Sequence, residues 1–165
     1  MVKEQGFFIT FEGVDGCGKT LMAGKLAAYL REAGCFVLSS REPGGSALGA
    51  EIRRLVLHRE ESIDPRTETL LFAADRAQHV ASLIWPALER GEVVVCDRFT
   101  DSTIAYQGSR SGFVISDLEW INNFATASLR PDLTFYLRVP LGVAFRRRGT
   151  QSDRLEREGR AFLSV

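Results

Sequence analysis

The chain has 165 residues, 45% of them hydrophobic, and its 21 Lys and Arg side chains balance 21 Asp and Glu side chains. This length allows one domain with a buried core, and the composition excludes an intrinsically disordered chain. A zero net charge argues against a general nucleic-acid-binding protein, which usually has a basic excess. Three cysteines without metal-ligand spacing, no secretory leader and no membrane-spanning apolar run favour a soluble protein of the reducing cytoplasm.

Short runs rich in β-branched and aromatic residues alternate with helical patterns along the chain. Strands are predicted at residues 7–11, 35–39, 93–96 and 133–139. Helices are predicted at residues 19–33, 47–57, 66–90, 116–128 and 141–148, with a last helix from residue 153, and long loops at residues 40–46 and 98–114. This alternation indicates an α/β fold in which helices cover both faces of a parallel sheet. Such sheets bind ligands at the loops that follow the carboxyl ends of their strands.

The first of these loops has the sequence Gly-Val-Asp-Gly-Cys-Gly-Lys-Thr at residues 13–20, between a predicted strand and a predicted helix. It matches G-x-x-x-x-G-K-[ST] without a mismatch, in the context of a phosphate-binding loop. Glycines let the backbone N–H groups point inward around an anion, and the following helix adds its positive N-terminal end. Lys19 is predicted to reach the outer phosphates of a nucleotide, and the Thr20 hydroxyl suits a magnesium ion.

Charged residues follow the other predicted strands. Asp97 ends the third strand, where it could hold magnesium directly or through water, and the guanidinium of Arg98 suits bidentate contact with phosphate. Arg41 begins an Arg-Glu-Pro-Gly-Gly turn after the second strand and is another candidate phosphate ligand. Three consecutive arginines at residues 146–148 precede a polar loop, and they predict a mobile lid over about residues 146–154.

Aromatic and amide side chains lie close to these loops. A nucleobase needs an aromatic face and a hydrogen-bonding edge, which Phe72 and Arg76 on the third predicted helix, and Tyr106 and Gln107 in the loop at 98–114, could supply. An ordinary core aromatic and ordinary loop residues are the alternative interpretation of these four positions.

In this order and spacing, the motifs resemble those of the bacterial type of thymidylate kinase. The matching segments are residues 11–20, 41–45, 70–79, 97–99 with Ser102, 105–108 and 130–134, and they cover essentially the whole chain. The resemblance implies a three-layer α/β/α nucleoside monophosphate kinase fold of the P-loop class, with one domain over residues 1–165. It implies transfer of the γ-phosphate of ATP to dTMP with magnesium, giving dTDP and ADP, by a cytoplasmic homodimer. It also implies that the C-terminal strand and helix of the usual domain are missing from the chain.

On the donor side, the resemblance implies that the ATP phosphates bind the whole loop, which consists of Gly13, Val14, Asp15, Gly16, Cys17, Gly18, Lys19 and Thr20. Magnesium would bind near Thr20 and Asp97. No Arg or Lys occurs among the variable loop positions 14–17, so the resemblance implies that a lid arginine reaches the donor phosphates. The candidates are Arg147, Arg148 and Arg154, and Arg148 could instead pack against adenine.

On the acceptor side, the resemblance implies that Asp15 faces the sugar of dTMP and that Arg41 and Arg98 hold its phosphate. Phe72 would stack on thymine and Arg76 would bond to its edge. The expected site is completed by Ser102, Thr103, Tyr106 and Gln107, with Tyr106 placed to exclude a 2′-hydroxyl. Catalysis would rest on positioning and charge neutralisation, and the expected catalytic residues are Asp15, Lys19, Arg98, Arg147 and Arg148.

Two alternatives stay open at the level of sequence. One is another small P-loop kinase, acting on a deoxynucleoside or a different nucleoside monophosphate. The other is a nucleotide-binding module without turnover. A GTPase is disfavoured because the chain contains no Asn-Lys-x-Asp segment to recognise guanine.

Overall fold

A computed structural model describes residues 6–58, 62–110 and 112–148 of the chain. Four parallel strands form one sheet in the order β2-β3-β1-β4. Their bounds are β1 Phe7–Glu12, β2 Val37–Arg41, β3 Val93–Asp97 and β4 Leu133–Tyr136. The helices are α1 Lys19–Glu32, α2 Ala47–His58, α3 Pro65–His79, α4 Trp85–Glu89, α5 Thr100–Arg110, α6 Ile115–Ala125 and α7 Leu141–Arg148. The predicted α/β fold with a parallel sheet is confirmed.

Side chains that alternate along the central strands build a separate core on each face of the sheet. Ile9 and Phe11 of β1 and Val95 of β3 pack against Ala23 and Ala27 of α1. The intervening residues of the same strands pack on the other face, against helical residues 80–88 and against Phe99, which directly precedes α5. That second core consists of Phe8, Val80, Ile84, Ala87, Leu88, Val94, Cys96 and Phe99. Both faces are covered because every strand of the sheet is parallel and each connection places a helix on one face.

The strand register brings three strand ends to one line at the edge of the sheet. Asp97 is opposite Phe11 of β1 on one side and opposite Arg41 of β2 on the other. The phosphate loop, the turn after β2 and the turn after β3 therefore leave the sheet side by side. This is the arrangement that places a ligand site in a parallel sheet.

The helix predicted at residues 66–90 is irregular just before Pro86, a residue type that disrupts helices. A π-helical segment, Val80–Ile84, separates α3 from α4, and the backbone N–H of Trp85 donates to the carbonyl of Val80. Proline has no N–H and its ring crowds the carbonyl four residues earlier, so the helix widens by one residue ahead of it. Asp64 is the N-cap of α3, and its side chain accepts hydrogen bonds from the N–H groups of Arg66 and Thr67.

The prediction of a loop at residues 98–114 is wrong. Most of it is α5, Thr100–Arg110. The Ser, Thr, Asp and Gly residues of this segment favour loops by themselves. Packing against α6 and α3, and a buried carboxylate that accepts the N–H of Phe99 just before the helix, outweigh that weak local preference.

Part of the predicted lid lies outside the described residues. α7 carries Arg146 and Arg147, whereas residues 149–154, including Arg154, and the predicted helix from residue 153 are not described. The same is true of the side chain of Arg148. Among the residues that are described, no helix is both long enough and apolar enough to cross a membrane.

Candidate nucleotide-binding site

The phosphate loop runs from the end of β1 to the start of α1. Gly13, Gly16 and Gly18 have φ angles of 138°, 81° and 102°, which residues with a side chain rarely adopt. Among the residues that the structure describes, no side chain caps the N-terminus of α1. The first N–H groups of the helix therefore stay available to an anion in the loop, as the sequence predicts.

Lys19 lies across the phosphate loop and is almost completely buried. Its Nζ donates to the carbonyl oxygens of Gly13 and Val14, at 2.8 and 2.9 Å, and lies 3.9 Å from Asp15 Oδ1. Burial, and then the charge of Arg98, lower the pKa of Lys19 in spite of Asp15. The described residues that line the cleft over the loop include five Lys and Arg side chains and three carboxylates, a balance that favours an anionic ligand.

Thr20 and Asp97 form the candidate magnesium site. Thr20 Oγ1 donates to Asp97 Oδ2 at 2.5 Å, and Asp97 Oδ1 is buried without a hydrogen-bond partner in the described part of the chain. A hydroxyl and a carboxylate with an unused oxygen fit a hard cation. The described residues contain no group of three or more acidic, His or Cys side chains that could enclose a metal. Magnesium usually binds through one or two protein oxygens and substrate phosphates, and Thr20 and Asp97 are the side chains here that could supply such oxygens.

Asp15, Arg98 and Tyr106 form a hydrogen-bonded group beside the loop. Arg98 donates to one carboxylate oxygen of Asp15, and Tyr106 Oη donates to the other at 2.9 Å. Burial would raise the pKa of Asp15, but the charges of Arg98 and Lys19 and these hydrogen bonds outweigh it, so the pKa is lowered. Burial raises the pKa of Tyr106, which keeps its hydroxyl a donor. Asp15 is thus an ionised hydrogen-bond acceptor and a weak base.

A second cleft, beside this group, contains the residues expected to hold a base. Phe72, Leu57 and Pro43 supply apolar surface, and Arg76 and Gln107 supply polar groups. The described lining also includes Asp15, Glu42, Arg53, Arg98, Phe99, Ser102, Thr103 and Tyr106. All the predicted acceptor-side residues except Arg41 therefore line one cleft.

Arg41 lies on the phosphate side instead. It lines the cleft over the phosphate loop, together with Lys19, Thr20, Asp97 and Arg147. The structure therefore brings Arg41 and the lid residue Arg147 to the same cleft as the phosphate loop. Cys17 is also part of the loop, but its thiol is buried, with Sγ 3.9 Å from Lys19 Nζ.

Comparisons with known proteins agree with this geometry. A family model described as thymidylate kinase matches residues 11–164. The thymidylate kinase of Parasynechococcus marenigrum (strain WH8102) is 47% identical over 166 residues, which cover 96% of this chain and 79% of that protein. The thymidylate kinase of Thermosipho africanus (strain TCF52B) is 45% identical over 157 residues, 94% of this chain and 78% of that protein. A crystal structure of thymidylate kinase from Ehrlichia chaffeensis is similar with a TM-score of 0.78 and 39% identity, over 87% of this chain and 83% of that one.

The chain belongs to the thymidylate kinase family. The resemblance inferred from the motifs is thereby confirmed, as is the fold that it implied. The individual residue roles in the sequence analysis stay predictions, now with a geometry attached to each described side chain.

Two side chains in the site of this thymidylate kinase family member escape sequence reasoning. Glu12 is buried at the end of β1, where its carboxylate accepts from Phe99 N at 2.7 Å and from Ser102 Oγ at 2.6 Å. Burial raises the pKa of Glu12, although these hydrogen bonds and the charge of Arg98 lower it in part. A carboxylate that ends a buried parallel strand directly before a phosphate loop is the signal that could have identified it.

Arg53 is the second missed residue. It lies on α2, lines both clefts, and donates from Nη1 to the carbonyl of Pro43 at 2.8 Å. From the sequence, Arg53 is expected to be an ordinary arginine on the surface of a helix. Nothing in the sequence shows that the turn after β2 folds back against it.

Proposed function

We propose that this thymidylate kinase family member transfers the γ-phosphate of ATP to dTMP, producing dTDP and ADP. One observation carries the proposal. The cleft over the phosphate loop and the cleft that holds the base-side residues share Asp15 and Arg98 in their walls. A nucleotide bound in each cleft would have its phosphates at this common wall, so donor and acceptor would meet where the charges converge.

The reaction requires little proton abstraction at this wall. The acceptor is a phosphate monoester, which already has ionised oxygens at neutral pH. Asp15, with its lowered pKa, is suited to accept a hydrogen bond from the acceptor sugar rather than to act as a general base. Positioning and neutralisation of charge on the transferring group then supply most of the rate enhancement.

Arg98 and Lys19 supply fixed positive charge on the two sides of the transferred group. The Arg98 guanidinium donates hydrogen bonds to the Asp15 carboxylate and, at 3.1 Å, to Ser102 Oγ. Its Cζ also lies over the Tyr106 ring, 5.2 Å from the ring centroid. Its backbone has a φ of 74°, and its N–H donates to Phe11 at 3.0 Å. An arginine held on so many sides needs little reorganisation when charge moves between the phosphates.

Magnesium is the proposed ion on the donor side. When bound with ATP, it would neutralise charge on the β- and γ-phosphates, and Thr20 and Asp97 are the residues that would hold it. Arg147 is the described lid residue that could approach the same phosphates, since it lines the cleft over the loop. Arg148 and Arg154 are further candidates for that role.

The base-side cleft supports a preference for thymine. Phe72 offers a ring to stack on, and the Arg76 guanidinium donates hydrogen bonds, as an acceptor on the base edge requires. Gln107 is held by a hydrogen bond from Nε2 to Glu68 at 3.1 Å. Tyr106, held by Asp15, is the residue proposed to exclude a 2′-hydroxyl and so select deoxyribose.

We also propose that the protein is a cytoplasmic homodimer. The support is apolar surface on helices, since Trp120 and Phe124 of α6 stack on each other and are 68% and 77% exposed, and Leu70 of α3 is 60% exposed. Exposed apolar side chains that cluster on helices are typical of subunit interfaces. Light scattering of the purified protein tests this proposal, and a monomer at micromolar concentration would contradict it.

A phosphoryl-transfer assay tests the proposed reaction. ADP release is measured with ATP and each of dTMP, dUMP, dCMP, dGMP and UMP, and dTMP is expected to give the highest kcat/KM. Lys19→Ala should reduce kcat by about two orders of magnitude or more, because it removes charge stabilisation of the transferring group. Lys25→Ala, on the exposed side of α1, is the matched control and should leave kcat unchanged. Equal turnover of all acceptors, or equal rates for wild type and Lys19→Ala, would refute the proposal.

A further inference from the structure

A continuous chain of polar side chains, buried except for the half-buried Ser40, lies behind the base-side cleft. Ser40 Oγ is 2.6 Å from His79 Nε2, His79 Nδ1 is 2.9 Å from Glu42 Oε1, and Glu42 Oε2 accepts from Arg76 Nε at 2.8 Å. His79 is fully buried, and Glu42 and Arg76 are at most 5% exposed. The chain links the end of β2 to α3, and Glu42 and Arg76 are its members that line the cleft.

Most of the hydrogen-bonding capacity of Arg76 is used inside the protein. Nη1 donates to Thr103 Oγ1 at 2.8 Å and to Asn122 Oδ1 at 2.5 Å, and Nη2 donates to the carbonyl of Phe99 at 3.0 Å. With Nε bound to Glu42, these four bonds within the described residues leave one of the five guanidinium N–H groups, on Nη2, for a ligand. The direction of that N–H depends on how firmly the other four are held.

The partner of Nδ1 decides where His79 must carry a hydrogen. The Glu42 carboxylate accepts from Arg76 and can only accept from His79, so His79 Nδ1 carries a hydrogen and donates it. The other ring nitrogen, Nε2, forms its hydrogen bond with the Ser40 hydroxyl. His79 thereby satisfies the Glu42 oxygen that Arg76 does not bind. A buried carboxylate oxygen without that donor would leave Glu42, and with it Arg76, in a less favourable position.

The turn after β2 also packs on the His79 ring. A Cβ placed on Gly45 would lie 2.5 Å from His79 Nε2, and the carbonyl of Arg41 would be 2.8 Å away. The ring therefore fills the space beneath this turn as well as binding Glu42. Its position is fixed by packing and by both of its nitrogens.

We propose that His79 is a positioning residue for substrate recognition: through Glu42 it fixes, against the base of the acceptor nucleotide, the Arg76 N–H that no described residue accepts. His79 is not among the residues that line either cleft, so it would not contact a nucleotide bound in one of them. The inference rests on the proposed function, because it assigns a role within the dTMP site.

Two substitutions at His79 separate the two hydrogen bonds of the ring. The amide nitrogen of Asn can occupy the place of Nδ1 and donate to Glu42, whereas the amide of Gln reaches the place of Nε2 and meets Ser40. His79→Gln should raise the KM for dTMP about tenfold, with the KM for ATP unchanged, because Glu42 loses a charge-assisted donor. His79→Asn should keep the KM for dTMP close to the wild-type value, although it leaves more empty space.

A merely structural role predicts a different result. If His79 only fills space, His79→Asn should be at least as damaging as His79→Gln, and the KM values for both substrates should change together. That result, or a wild-type KM for dTMP in His79→Gln, would overturn the inference. Because wild-type turnover of dTMP is measured in the same experiment, failure of the inference is distinguishable from failure of the proposed function.

Substitutions at Ser40 provide an independent test that leaves the ring in place. Ser40→Ala removes the partner of Nε2 with little change in volume, and Ser40→Thr keeps the hydroxyl. If His79 acts through its orientation, Ser40→Ala raises the KM for dTMP and Ser40→Thr does not. Equal KM values in the two variants would overturn the inference even if both His79 variants fail to fold.

Discussion

Asp75 of α3 is a buried carboxyl group whose ionisation opposes folding. It is 1% exposed, Oδ1 accepts from Gly44 N at 3.0 Å, and Oδ2 is buried without a hydrogen-bond partner in the described part of the chain. Burial, and then the charge of Glu42, raise the pKa of Asp75 to about 6, against the pull of Gly44, His79 and Arg76. The ordinary value is 3.8.

The size of the effect follows from the two pKa values. The native state binds the proton more tightly than the unfolded state, so the free energy of unfolding falls as the pH rises from about 4 to about 6 and then levels off. A difference of about two pKa units, at about 1.4 kcal/mol per unit, corresponds to about 3 kcal/mol. Asp75→Asn, which resembles the protonated acid, should lack this loss.

Urea unfolding of wild type and Asp75→Asn at pH 4, 5, 6, 7 and 8 measures the effect. The stability of the variant relative to wild type should increase by about 2.5 kcal/mol from pH 4 to pH 8, mostly below pH 6.5. Asp117→Asn, at an exposed position in the first turn of α6, is the control and should show no such trend. A difference between Asp75→Asn and wild type that is constant with pH would refute the reasoning.

Three further predictions concern the phosphate loop and its neighbours. Gly16→Ala places a Cβ 2.2 Å from the carbonyl of Ala144, at a φ of 81°, so it should push α7 from the loop and raise the KM for ATP, with a conformational cost of about 1–2 kcal/mol. Alkylation should modify the exposed Cys35 quickly without loss of activity and the buried Cys17 slowly, and modification of Cys17 should abolish ATP binding in equilibrium titrations. Glu12→Gln should lower kcat about tenfold in steady-state assays, because Glu12 anchors the turn that carries Arg98, the arginine proposed to bind the acceptor phosphate.

Each of these predictions has a control or an opposing outcome. Gly24→Ala adds a methyl group with no atom within 4 Å, so it should leave the KM for ATP unchanged, and an equal effect of both glycine substitutions would contradict the packing argument. Full activity after complete labelling of Cys17 would show that ATP binds even when the Cys17 thiol carries an added group, which contradicts the prediction. A wild-type kcat in Glu12→Gln would show that the turn after β3 keeps its position without the negative charge of Glu12.

The sequence by itself determined the phosphate loop and the layered α/β arrangement. The loop is one continuous segment, and its chemistry depends on backbone N–H groups, on glycines and on one lysine, all within residues 13–20. The two central strands, β1 and β3, are short apolar runs, and their hydrophobicity predicts that they are buried. Such features depend on contacts between residues close in sequence, so a local pattern is sufficient to predict them.

The tertiary structure decided the features that depend on distant residues. α5 forms in a segment of weak helix propensity because the carboxylate of Glu12 and two other helices contact it. Arg53 joins the site because the turn after β2 folds back onto α2, and His79 meets Glu42 across 37 positions of sequence. The physical reason is that a buried polar group is satisfied by whichever partner the completed fold brings within hydrogen-bonding distance, and that partner leaves no local pattern in the sequence.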